Sequence, residues 1–170
     1  TGALASLQVL NGQMEYHIIG DTDRVRGICG SGLLDAAAWL LDSGQLDEWG
    51  RFTDAQDRVE VIPGLHLSQD DIRQVQLAKG AVAAGLQILS GKRCGSLDAV
   101  DQFYIAGAFG NYLHLDSARR IGLIDAEPAR VKTLGNSALL GAKMMLYMED
   151  KQIKRLRRRV QHMSLETDVD

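Results

Sequence analysis

The sequence predicts an α/β domain with a mixed sheet, on three observations. An Asn11-Gly12 pair separates two apolar-rich runs near the start; short β-type runs alternate with helical ones after residue 58; and the composition, 45% hydrophobic and 24% charged over 170 residues, suffices for one core. Residues 3–10 and 14–19 flank Asn11-Gly12, the strongest short hairpin signal available, and are expected to pair as antiparallel strands. After a polar loop from Gly20 to Arg26, the stretch Gly27-Ile-Cys-Gly-Ser-Gly-Leu-Leu-Asp35 leads into an Ala- and Leu-rich helix that ends near Ser43-Gly44. Val59 to Ile62 reads as a short strand stopped by Pro63-Gly64.

Ser68-Gln-Asp-Asp71 has the form of a capping box and opens a long helix, about 69–89. Ile72, Val75, Ala78, Val82, Leu86 and Leu89 make its expected apolar stripe. Gly80, Ala81, Ala83, Ala84 and Gly85 make it slim. Each of the two glycines costs on the order of 1 kcal/mol relative to alanine, a cost expected to be offset by tight packing on a sheet or by a ligand. Gly91 to Ser96 reads as the helix exit. Phe103 to Ala106 reads as a buried strand running into a second glycine stretch, Tyr104-Ile-Ala-Gly-Ala-Phe-Gly-Asn-Tyr112. A helix around 115–121, a strand over 130–134, and a helix opened by Gly135 to Ala142 and carrying Lys143 to Met148 complete the core. No repeat, low-complexity tract or interdomain linker is evident, so residues 1–170 read as one domain.

Composition bounds the function. The net charge of −3 argues against general nucleic-acid binding, which needs a basic surface. No apolar run approaches the roughly 20 residues that span a bilayer, and no charged n-region with an apolar h-region is seen, so neither a secreted nor a membrane protein is expected. Cys29 and Cys94 are too few for a disulfide scaffold and lack Cys-x-x-Cys spacing, which fits a reducing cytoplasm. The one local concentration of charge, residues 151–159, holds six basic side chains with Ile153, Leu156 and Val160 at helical spacing. It reads as a solvated last helix or as a docking surface for an acidic partner.

Chemistry centres on the two glycine stretches. The first, in the order Gly-x-x-Gly-x-Gly after a charged loop, lacks the strand-to-helix turn of the dinucleotide fingerprint. It is either a helix N-terminus facing an anion or ribose through Cys29, Gly30, Ser31 and Gly32, or an ordinary glycine-rich helix entry. The second, Gly107, Ala108, Phe109, Gly110 and Asn111, is either a flat turn that holds an adenine or a plain strand exit. Cys29 at a helix start is a reactive-thiol candidate or a small buried residue. His17, His66, His114 and His162 form no ligand pair, and Asp35, Asp98, Asp101 and Asp116 form no spaced acid–base pair, so neither a metal site nor a catalytic residue is assigned. Asp-x-Gly-Thr and Gly-x-x-x-x-Gly-Lys-Ser/Thr loops are absent.

Four ordered segments, 27–35, 76–85, 104–112 and 135–142, together resemble the C-terminal ATPase region of the reductive activators of corrinoid enzymes. These are iron-sulfur ATPases of the acetate and sugar kinase, heat-shock chaperone and actin superfamily. The resemblance runs from about Gly20 to Ala142, and the stretch from His162 to Glu166 looks like the family's late strand. It implies a ribonuclease H-like half of an actin-like ATPase core, with Gly107 to Asn111 as the adenosine motif and Cys29 to Gly32 as a glycine loop facing ribose and phosphates. Lys79 is implied as a contact beside the adenine pocket, and the helix opened by Gly135 to Ala142 as the connection that moves when the halves close. The implied ligands are ATP or ADP with magnesium, shared with a missing half. An iron-sulfur cluster is implied only in the parent protein, and the implied partner is a corrinoid protein or corrinoid methyltransferase. A homodimer of the parent is left open.

The departures are as informative. The acidic phosphate loops and the cysteine-bearing ferredoxin-like domain of such activators are missing, so the chain reads as a segment of a longer protein that alone does not hydrolyse ATP efficiently. The competing readings are a small-metabolite kinase or 2-hydroxyacyl-CoA dehydratase activator of the same superfamily, and a non-enzymatic α/β interaction module.

Overall fold

A computed structural model describes residues 1–20, 22, 24–54, 56–107, 110 and 112–159. The chain divides into two compact units, Thr1–Gly135 and Asn136–Asp170. In the first, β1 (Ala3–Leu10) pairs antiparallel with β2 (Gln13–Ile18), and on its other flank, through Ala3 and Leu4, parallel with β3 (Gly27–Ile28). The sheet order β2-β1-β3 is therefore mixed, as expected. Asn11 (φ 53°) and Gly12 (φ 79°) both take the left-handed conformation that a two-residue hairpin requires.

β3 corrects the sequence reading of the glycine stretch 27–35 as passing from a charged loop into a helix with no strand before it. Its two residues are too few to show a periodicity, and its partner lies more than twenty positions upstream. α1 (Gly30–Asp42) follows it and is the centre of the unit. Ala36 and Leu40 join Leu4, Leu7, Leu67 and Ile72 in the larger apolar cluster. On another face Leu34, Ala37 and Ala38 meet Val75 and Ile121 in a second cluster. A helix buried on two faces accommodates the small side chains of Ala36, Ala37 and Ala38, and burying Leu40 alone contributes about 1.5–3 kcal/mol.

β4 (Arg58–Ile62) and β5 (Leu65–Ser68) form a second antiparallel hairpin, with Pro63-Gly64 as its turn and not as the end of an isolated strand. Gly64 has φ 82°, and its N–H donates to Glu60 Oε1 at 2.9 Å. α2 (Gln69–Cys94) starts at the expected capping box: Ser68 Oγ accepts from the Asp71 N–H, and the Asp71 carboxylate accepts from the Ser68 N–H. The helix then departs from expectation. Of the predicted stripe only Ile72 and Val75 are buried, whereas Val82 and Leu89 are 44% and 56% exposed. Open space surrounds Gly80, Gly85 and Gly91, so no packing on a sheet explains them. At about 1.5 Å per residue the 26-residue helix is some 39 Å long, and only its first two turns carry stripe residues that reach the core.

β6 (Phe103–Ala106) and β7 (Val131–Gly135) form a parallel pair. β6 is not the buried strand that its apolar sequence predicts: Tyr104 is 59% exposed, because among the described strands β6 has β7 as its one neighbour. Between them, α3 (Leu115–Arg120) buries Ala118. The second unit holds α4 (Ser137–Leu146), capped by Asn136 Oδ1 accepting from the Leu139 N–H at 3.0 Å, and α5 (Asp150–Arg159). In α5, Ile153 is half-buried and Leu156 is 41% exposed. The strand expected at 162–166 lies outside the described residues.

Candidate functional site

The first glycine stretch is organised by a bulge in β1. The pairing with β2 skips Ala5, and the Ala5 carbonyl accepts from Ser31 Oγ at 2.7 Å. Cys29 Sγ lies 3.2 Å from Ser31 Oγ and 3.7 Å from the Ala5 oxygen, while the Cys29 N–H donates to the Leu4 carbonyl at 3.0 Å. Gly32 sits where a Cβ would come within 2.4 Å of the Leu4 oxygen. The side chains of this loop therefore face the protein. Cys29 precedes α1 with no side-chain cap and no acidic residue in the first turn, so Gly30, Ser31 and Gly32 present first-turn N–H groups that no side chain caps.

The second stretch lies at the carboxyl ends of parallel strands, where ligands of α/β sheets commonly bind. Gly107 has φ 108°, and its N–H donates to the Gly135 carbonyl at 2.8 Å; Gly135 itself has φ 65°. Among the described residues nothing lies within 4 Å of the position of a Gly107 Cβ, so backbone and not side chain would meet a ligand there. Gly110 is buried, with a Cβ position 2.7 Å from Ile105 Cγ2. Ala108, Phe109 and Asn111 lie outside the described residues. Arg130 braces this pair of strands from below: its guanidinium donates to the carbonyls of Leu97, Asp98 and Val100 and lies 5.5 Å from the centre of the Phe103 ring.

Lys79 is placed against Gly122, whose Cβ position is 3.1 Å from the Lys79 Nζ. No three His, Cys, Asp or Glu residues come together as metal ligands among the described residues. No helix among them is long and apolar enough to cross a membrane.

A pair that the sequence did not reveal, buried at Asp35 and half-buried at His114, joins the end of the first glycine stretch to the residue that precedes α3. Asp35, on α1, is 2% exposed; its Oδ2 accepts from the Leu7 N–H at 3.0 Å and lies 2.8 Å from His114 Nδ1. Its other oxygen has no hydrogen-bond partner among the described residues. Asp35 also borders an open cleft of about 630 Å³ shared with Trp39, Asp42, Asp116 and Arg120. In sequence, its one signal is a lone carboxylate in the run Leu33-Leu-Asp-Ala-Ala-Ala-Trp-Leu-Leu41, where every other residue is apolar.

The profile of the family described as the C-terminal domain of RACo, the ASKHA domain, matches residues 1–170. The chain belongs to this family. Its α/β architecture is that of an ASKHA, actin-like ATPase, domain. Among curated proteins, the corrinoid activation enzyme RamQ of Eubacterium limosum is 30% identical over 198 aligned positions, covering 99% of this chain and 33% of that protein. The [Co(II) methylated amine-specific corrinoid protein] reductase of Methanosarcina barkeri is 24% identical over 120 positions, 71% of this chain and 22% of the relative. This ASKHA chain thus spans about a third and about a fifth of the length of these two relatives.

Proposed function

We propose that this ASKHA chain is the adenosine-side part of an ATP-dependent reductive activator, which returns the Co(II) corrinoid of a methyl-transfer protein to Co(I). The observation that carries the reading is the pair of left-handed glycines, Gly107 and Gly135, hydrogen-bonded side by side at the ends of parallel strands, with nothing among the described residues within 4 Å of a Gly107 Cβ position. The names of the two relatives, both of which concern corrinoid proteins, support it.

In this reading Gly107 and Gly110 face adenosine, and Ala108, Phe109 and Asn111 belong to the same motif. The N–H groups of Gly30, Ser31 and Gly32 serve as donors toward ribose or phosphate, and Cys29 packs behind them. Lys79 is kept as an outer contact. Magnesium and the γ-phosphate are held by acidic loops of a second ribonuclease H-like half, carried by a longer, cytoplasmic parent. The electron comes from an iron-sulfur centre of that parent, and the partner is a corrinoid protein or corrinoid methyltransferase. Nucleotide binding biases closure of the two halves, and this segment transmits that bias.

Gly107→Val in the full-length protein tests the assignment. A β-branched residue at φ 108° is strained by about 1–3 kcal/mol and adds bulk at that position. Nucleotide affinity and ATP-dependent reactivation of Co(II) corrinoid should fall together, about 5- to 100-fold. Unchanged affinity for MgATP and MgADP by calorimetry would remove Gly107 from the site.

A further inference from the structure

Trp49 is 77% exposed, yet the backbone that carries it is tightly held. Asp47 Oδ1 accepts from the Trp49 and Arg51 N–H groups, Gln76 Nε2 donates to the Trp49 carbonyl at 2.8 Å, and Gln69 Nε2 donates to the Gly50 carbonyl at 2.6 Å. An indole presented on a fixed loop loses little conformational freedom when a partner covers it, which favours a binding hot spot. Its setting is acidic. Residues 47–71 carry seven carboxylates against two arginines, a net −5. The Gln69 N–H donates to the Asp57 carbonyl at 3.3 Å, which gathers the loop around the first turn of α2. Glu48, Asp54, Asp57 and Asp70 are exposed there, with no ion pair among the described residues.

The second unit carries the complement. α5 holds six basic side chains and one acidic, a net +5. Lys151, Lys154, Arg155, Arg157 and Arg158 are exposed, without an ion pair among the described residues, at spacings of three and four that set like charges against one another. That repulsion works against the helix and is relieved by an anionic surface. Nucleic acid and membrane fit poorly. Outside α5 the chain has 13 basic and 21 acidic side chains, a net −8 that repels anionic polymers, and Ile153 and Leu156 make too narrow an apolar line for a membrane-surface helix. A surface of equal and opposite charge, by contrast, is present on every copy of this chain. We propose that α5 of one copy docks on the acidic surface around Trp49 of a second copy, the indole being covered by the aliphatic stems and guanidinium groups of the helix. Complementary fields steer such an encounter and make it sensitive to salt. The inference does not depend on the nucleotide reading.

The test is sedimentation velocity on the full-length protein at about 0.05 M and about 0.5 M salt. One charge-reversed variant combines Glu48→Lys with Asp70→Lys on the acidic surface; a second combines Arg155→Glu with Arg158→Glu on α5; a third is Trp49→Ala. All five positions are exposed, and thermal melting by circular dichroism checks that each variant folds. The parent should self-associate at low salt and separate at high salt. Trp49→Ala should weaken self-association about thirty-fold and each charge reversal about ten-fold or more. An equimolar mixture of the two charge-reversed proteins should associate again at concentrations where neither does alone, because each meets its complement on the other. If the parent is monomeric at low salt, if charge reversal leaves its association unchanged, or if the mixture stays apart, the proposal is wrong. Capture of a monomeric parent by duplex DNA or by phosphatidylserine vesicles, lost in the α5 variant, would overturn it by giving the helix another occupant. Should a charge-reversed protein not fold, Trp49→Ala and the salt dependence decide.

Discussion

Gly32→Ala separates packing from ligand binding at the first glycine stretch. The new Cβ would lie 2.4 Å from the Leu4 oxygen and 3.0 Å from its carbon, both backbone atoms of a strand paired on two flanks. Relief to an ordinary contact of 3.4 Å needs α1 to back away by about 1 Å. That displacement costs about 1–3 kcal/mol as overpacking, and stretching the 2.7 Å Ser31–Ala5 bond takes away up to about 1 kcal/mol more. Alanine's helix propensity returns less than about 1 kcal/mol at a first-turn position. The net expectation is destabilisation by about 2 kcal/mol, or a fall of about 4–8 °C in thermal midpoint for a chain of this size. Gly80→Ala is the matched control: it lies inside α2 with open space around its Cβ position and should stabilise by about 0.5–1 kcal/mol. Urea and thermal unfolding followed by circular dichroism measure both. If Gly32→Ala melts within about 1 °C of the parent, the glycine is not there to let α1 approach β1, and close approach of a ligand becomes the better account.

Two further predictions concern local structure. Ser68→Ala removes one arm of the capping box and should cost about 1 kcal/mol in urea unfolding, with Ser68→Asp recovering most of it. The N–H groups of Arg51 and Trp49, and the Arg51 guanidinium, hold the Asp47 carboxyl below its ordinary value. Its folded pKa is thus depressed relative to the unfolded chain. The loop gains stability from Asp47 above the unfolded value near 3.8 and loses it as pH falls through the folded value, a loss that Asp47→Asn should abolish in acid unfolding curves.

What the sequence revealed was local. Asn11-Gly12 and the Ser68–Asp71 box act within a few residues of themselves, so residue type alone placed them. What it concealed was long-range. β3 exists only because Leu4 and Ala3 lie beside it, and the Asp35–His114 bond joins positions that share no periodicity. The apolar stripe of α2 shows how period can mislead: it correctly marks a helical face, but burial depends on whether another element covers that face, and beyond Val75 the rest of the predicted stripe is not buried. The candidate site divides in the same way. Its two glycine turns were readable as motifs, whereas the inward aim of Cys29 and Ser31 follows from a bulge at Ala5 that no sequence rule announces.

The same bulge bears on solubility. β3 covers β1 only at Ala3 and Leu4, which leaves the following carbonyl and amide on that flank as an unfinished strand edge, the kind that recruits another chain. Here Ser31 donates to the Ala5 carbonyl and Asp35 accepts from the Leu7 amide, so side chains of α1 occupy the two bonding positions that an intruding strand would use. The helix finishes the sheet without extending it, and the edge next to the glycine loop is protected against pairing between molecules by hydroxyl and carboxylate groups, not by another strand.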